Sequence, residues 1–134
     1  MKALSVRQPW AHLIIHGAKR IENRTWSTDW RGPLLIHASK SDSEIASCYA
    51  WTALRGHLPP KSVLQFGALI GIVTLDAVYR FNSLNSNLRN IFAEGPICWH
   101  LIDPRPFTAI PYPGSRSLFY VPDEVLPKFQ ETRL

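Results

Sequence analysis

The sequence predicts a small, β-rich mixed α/β domain, with five or six strands curled into a barrel-like sheet and capped by helices at its ends. Three observations carry this. Strand-like apolar runs recur along all 134 residues, from "KALSV" near the start to "SLFYV" near the end. Two stretches carry helical spacing, and both lie in the first half. The strand-rich second half has no βαβ rhythm, which argues against a doubly wound parallel sheet.

The first strand is expected over "KALSV". Pro9 suits a first helical turn, where its missing N–H is no loss, and Gly17 is placed to end the helix, so a helix is predicted from Pro9 to Ile15. Ile21 to Trp26 alternates as a strand, with Glu22, Arg24 and Trp26 on one side and Ile21, Asn23 and Thr25 on the other. "STDWRGP" reads as a turn and "LLIHA" as a buried strand. In "SDSE", Ser41 and Glu44 have capping-box spacing, predicting a helix packed through Ile45, Cys48, Tyr49 and Thr52 and stopped at Gly56. "LPPKSVLQFG" is a connector with one short helical turn from Lys61, and "ALIGIVTLDAVYR" is the longest strand, with Gly71 marking a bulge or a close backbone approach. "FNSLNSNLRNIFAEGP" is a polar loop or weak helix. Pro104 and Pro106 push the strand "ICWHLIDPRPF" towards an edge. A turn and a last strand follow in "IPYPGSRSLFYV", then a tail helix or extended cap in "PDEVLPKF". The chain is expected to form one domain, residues 1–134, folded throughout apart from its last few residues.

Fifteen Lys and Arg against ten Asp and Glu give a formal charge of +5 and a pI near 9.6, a balance that favours anionic partners. Two cysteines without CxxC spacing, Cys48 and Cys98, read as core thiols with neither a disulfide framework nor a metal role. His12 and His16 stand four apart on the first helix but have no third ligand type beside them, so no metal is expected. Neither GxGxxG nor GxxxxGK occurs, which removes the common nucleotide cofactors; no cofactor is expected. No signal peptide and no membrane span are read, and the expected location is cytoplasmic.

The functional signal concentrates in "GAKRIENRTW", residues 17–26. Lys19 follows the helix-ending Gly17 and reads as an exposed anion contact at a cleft mouth, so its replacement is expected to change stability little. Glu22 and Arg24 share a strand face, where a carboxylate accepts hydrogen bonds and a guanidinium clamps phosphate; a structural ion pair is the alternative. Arg7 could meet phosphate and the Gln8 amide a base edge. Trp26 and Trp30 interleave with Arg24 and Arg31, as stacking on single strands requires. Arg116 and Ser117, after Gly114, form a second phosphate candidate. His37 reads as a satisfied core-edge histidine, and Trp10 as core packing.

S-x-R-Q-P-W at 5–10, G-x-K-x-x-E-x-R at 17–24, "WRGPLLIHAS" at 30–39, "GALIGIVTL" at 67–75 and "GSRSLFYV" at 114–121 together resemble the ASCH domain, named for homology to a domain of activating signal cointegrator 1. The resemblance implies a PUA-like β-barrel with a cleft beside it, and a role in binding or processing nucleic acid. The residue matching its most function-linked lysine is Lys19. Some bacterial members look like amidohydrolases that deacylate the exocyclic amine of cytidine, others like ribonucleases; Glu22 stands where the amidohydrolases carry Thr, and Glu94 is the candidate for their later carboxylate. The first expectation is therefore a nucleic-acid-binding domain, RNA ahead of DNA, using Arg7, Gln8, Lys19, Arg24, Trp26, Arg31, Arg116 and Ser117. The alternative is a small hydrolase of modified nucleosides or RNA with Lys19 and Glu22 as its catalytic pair. A protein partner is the third reading.

Overall fold

The computed structural model describes residues 1–128; Phe129 and the expectation about the last few residues lie outside them. Six strands form one sheet: β1 (Lys2–Val6), β2 (Ile21–Arg24), β3 (Gly32–Ala38), β4 (Ala68–Arg80), β5 (Ile97–Pro111) and β6 (Phe119–Tyr120), in the spatial order β2-β5-β4-β3-β1-β6. Among the described residues only β1 and β3 pair in parallel. The helices are α1 (Trp10–Ile15) and α2 (Ile45–Ala50).

The expected β-barrel does not form. Strands β2 and β6 stand at opposite ends of the order and do not pair with each other, so the sheet is curled but open. Side chains cross near the opening instead. Arg24, on β2, donates from Nη2 to the Ser5 carbonyl of β1 at 2.6 Å. With only four residues, β2 pairs with β5 alone and has no length left for a second ladder.

The curl arises in part from broken register. β4 slips against β5 between Leu69 and Gly71, between Ile72 and Thr74, and between Leu75 and Ala77, and each slip adds local bend and twist. At Gly71 the chain admits close neighbours: a Cβ there would meet Ile15 Cδ1 at 2.6 Å and the Arg105 carbonyl at 2.7 Å. This is the backbone approach that a glycine within an apolar strand suggested.

The prolines of β5 mislead about its place. β5 lies between β2 and β4, not at an edge. β2 covers only Ile97 to His100, however, so one side of β5 carries no strand from Leu101 onward, and Pro104 and Pro106 fall in that part. A missing N–H is tolerated there.

Helix α1 lies across β3, β4 and β5 and buries Ala11, Leu13, Ile14 and Ile15. Ile14 and Ile15 join Leu4, Val6, Leu34, Ile36, Val73, Leu75 and Trp99 in the main core. Its end is a hook: Gly17, at φ +90, bonds back to the Ile14 carbonyl, and the Lys19 N–H reaches the Leu13 carbonyl. Helix α2 is shorter than the spacing predicts. Its N-cap is Glu44 and no side chain caps it; the Ser41 hydroxyl turns to Ser43. Thr52 falls in a separate 3-10 turn, Thr52–Leu54, and within α2 only Cys48 is buried. Half-exposed, the helix lacks the packing face that would carry it to Gly56.

Candidate functional site

The hook after α1 delivers Lys19 inward. Its side chain is 3 % exposed, so it is a buried cation rather than a solvent-facing one. Its ammonium donates to the Ile21 carbonyl and to Glu22 Oε1 at 3.1 Å, and lies 5.6 Å from the centroid of the Trp10 ring. The other Glu22 oxygen meets Arg24 Nη2 at 3.0 Å. Lys19, Glu22, Arg24 and the Ser5 carbonyl thus form one chain of contacts from the end of α1, through β2, to β1. The Arg24 Nε is buried and has no hydrogen-bond partner among the described residues.

This network underlies a two-part cleft. The larger part, about 830 Å³, is lined by Arg7, Arg24, Lys40 and Arg116 as well as by Ser5, His37 and Ser115. The smaller recess, about 430 Å³, is lined by Lys19, Trp51, Ile91, Phe92 and Glu94. Trp10, Glu22, Asn23 and Glu44 belong to both and make them one continuous cleft. Glu44 accepts from Trp10 Nε1 at 3.3 Å and stands 4.0 Å from Arg7 Nη1. Asn23 secures the roof of the recess: its amide donates to the Phe92 carbonyl, and its Oδ1 accepts from the backbone N–H groups of Glu94 and Gly95.

At the far wall, His37 Nε2 faces the Tyr112 carbonyl at 2.6 Å, so it carries the proton, and Nδ1 accepts from the Ser5 hydroxyl at 2.9 Å. Ser5 Oγ in turn accepts from the Ser115 N–H at 3.2 Å. These bonds hold the loop carrying Arg116 against β1 and β3. Burial lowers the pKa of His37 from the ordinary 6.5, against the raising effect of its bond to Tyr112. The unfolded chain therefore binds the proton more readily, and the imidazole's contribution to stability is present above pH 6.5 and lost as pH falls through the lowered folded value. Unfolding free energy should decline with acidification below pH 6.5, and less steeply in His37→Gln; equal slopes in denaturant titrations across pH would sink this account. His12, lowered by burial and by neighbouring His16, adds a slope of the same sign that the variant retains.

Lys19, Glu22, Arg24, Arg7 and Arg116 are brought together. Four other candidates stand elsewhere. Gln8 is 1 % exposed and ties the chain internally, donating to the Gln65 carbonyl and accepting from the His12 N–H. Trp26 lies beyond β2 and packs edge-on against Trp99, with centroids 5.0 Å apart. Arg31 binds the carbonyls of Thr28 and Trp30 within its own turn. The Ser117 hydroxyl donates to the Leu118 carbonyl outside the cleft lining. Sequence reasoning missed Lys40, Glu44, Asn23 and Trp51. Only a pattern linking α2 and the loop after β4 to β2 could have found them, and no local spacing encodes that.

The geometry does not favour the expected hydrolase pair. Lys19 is bonded to a carbonyl and a carboxylate, and each Glu22 oxygen meets a cation, so both members of the expected pair are already engaged within the protein. Among the described residues no three His, Cys, Asp or Glu side chains are grouped to hold a metal. Burial pushes the Cys48 thiol up to about 11, so it is no thiolate nucleophile near neutral pH. N4-acetylcytidine should release no acetate above background between about pH 6 and 9, with the parent or with Glu22→Thr. Turnover that vanishes in Lys19→Ala would reverse this conclusion.

A curled open sheet crossed by one helix, with a basic cleft beside the short edge strand, defines the class: the chain belongs to the ASCH domain family, whose model matches residues 4–111. It is 46% identical over 77 residues to human Activating signal cointegrator 1, and 44% identical over 77 residues to the mouse protein. Each match covers 54% of this chain and 13% of the relative, so the chain spans only a small part of the curated proteins it matches. Among solved structures, the crystal structure of ASCH from Zymomonas mobilis superposes with a TM-score of 0.55 at 16% identity, covering 92% of this chain and 89% of that one. A mutant of the same protein gives 0.54 at 16%, covering 92% and 91%. At that identity the likeness shows the fold alone. No helix among the described residues is long and apolar enough to cross a membrane.

Proposed function

We propose that the chain binds single-stranded nucleic acid, RNA ahead of DNA, along the cleft beside β2. The observation that carries this is the convergence of Arg7, Arg24, Lys40 and Arg116 on one open cleft of about 830 Å³, large enough for a nucleotide and its neighbouring phosphates. Arg7, Lys40 and Arg116 are exposed and offer guanidinium and ammonium groups to phosphate oxygens. Membership of the ASCH family supports the same reading. Glu44, in the wall between the two parts, is an acceptor suited to a ribose 2′-hydroxyl and favours RNA. Lys19 acts behind this surface: buried beneath Trp10 and Glu22, it holds β2 and the cleft wall in place.

Binding of labelled single-stranded RNA should weaken with salt, with a slope of roughly −2 to −4 in log affinity against log salt for a few phosphate contacts. Arg116→Ala combined with Lys40→Ala should make that slope shallower and lower the affinity at low salt. A flat salt dependence, or no binding at low salt, would sink the reading.

A further inference from the structure

The cleft is polar in charge. Its large part gathers Arg7, Arg24, Lys40 and Arg116 against Glu22 and Glu44, whereas its small recess sets three carboxylates, Glu22, Glu44 and Glu94, against the single ammonium of Lys19. Phosphate belongs at the first end. The second end, with its aromatic and acidic lining, suits a different part of a nucleotide. We infer that this recess takes one base of the bound strand and that the base is guanine, stacked on Trp51 and read along its Watson–Crick edge by Glu94; the inference rests on the nucleic-acid reading above.

Two unpartnered groups carry it. The Trp51 indole is 41% exposed and makes no hydrogen bond or ring contact among the described residues, although it lines the recess. A free indole face at a recess of about 430 Å³ is a stacking surface for a single base. The Glu94 carboxylate is likewise exposed and has no partner among the described residues, while its backbone is held by Asn23 Oδ1, so the acceptor is presented from a fixed main chain. Of the other polar groups in the recess, Asn23 is held by loop backbone, both Glu22 oxygens by cations, Lys19 by Ile21 and Glu22, and Glu44 Oε1 by the Trp10 indole N–H, with Arg7 4.0 Å from its second oxygen. Glu94 therefore brings to the recess a carboxylate with both oxygens uncommitted among the described residues.

That acceptor selects among bases. Guanine presents N1–H and its 2-amino group side by side, matching the two oxygens of one carboxylate. Adenine and cytosine place an unprotonated ring nitrogen beside their amine, which would oppose the second oxygen, and uracil places a carbonyl there. Phe92, buried, and Ile91, 44% exposed, add apolar lining to the recess.

The test uses short labelled oligouridines carrying one central guanine, adenine, cytosine or no substitution, titrated at low salt against the parent, Glu94→Gln and Trp51→Ala. The parent should favour the guanine oligomer by about tenfold, the discrimination typical of a bidentate base contact. Glu94→Gln should abolish that preference, because Gln brings an N–H towards a donor edge. Trp51→Ala should weaken binding of all four. Equal parental affinity for the four oligomers, or a guanine preference that survives Glu94→Gln, overturns the inference while nucleic-acid binding stands. Failure of every oligomer to bind overturns both.

Discussion

Replacing Glu22 with alanine should lower the free energy of unfolding by about 3–5 kcal/mol, the range for removing one member of a buried ion pair. The carboxylate lies between two cations, and its loss leaves Lys19, 3 % exposed, with the Ile21 carbonyl as its only remaining hydrogen-bond partner among the described residues, beside the face of the Trp10 ring. It also frees Arg24, whose bond to Ser5 spans the open sheet between β2 and β1. Lys19→Ala should be milder, about 3 kcal/mol, because Glu22 keeps Arg24. Both losses exceed what an exposed charge would show, and for Lys19 this contrasts with the small effect expected from the sequence. Melting temperatures should fall by on the order of 10 °C. Parent-like melting of Glu22→Ala would mean that the network contributes nothing to the fold.

Gly71→Ala should destabilise by about 2–3 kcal/mol, the upper part of the range for overpacking a well-filled core. The added Cβ would stand 2.6 Å from Ile15 Cδ1 and 2.9 Å from Ile15 Cγ2, which could move, but also 2.7 Å from the Arg105 carbonyl oxygen, which belongs to the β5 backbone. Combining it with Ile15→Ala should therefore not restore the parental stability. A denaturant midpoint for Gly71→Ala equal to that of the parent would show that β4 and α1 do not approach as closely as described.

Both positions were visible in the sequence, though in different degrees. Gly71 interrupts a run of β-branched and aliphatic residues, and a missing side chain inside a strand has few explanations other than a bulge or a close approach. Glu22 and Arg24 were legible as partners because residues two apart on a strand share a face. Lys19 was misplaced, since lysine is seldom fully buried unless paired and its pairing depends on the hook that follows Gly17. The internal contacts of Gln8 and Trp26 are hidden from local sequence for a related cause. A polar amide and an indole serve a ligand or the core equally well, and only the packing of β5 and the connector decides which.

The sequence by itself determined the local frame: β1 from its apolar run, α1 between Pro9 and Gly17, β4 over its full length from Ala68 to Arg80, and the G-x-K-x-x-E-x-R grouping at the start of β2. These follow from period, caps and glycine, which act within a few residues. The tertiary structure decided that the sheet stays open, that β5 lies inside it, and that Lys19 is buried. It also decided which residues share the cleft, bringing Ser5 to Ser115 across the length of the chain and Asn23 to Glu94 across the β4–β5 excursion. The physical reason is that burial and closure depend on which strands meet and how far each extends. A four-residue β2 can pair on one side and leave the other to side chains, and nothing within those four residues records that outcome.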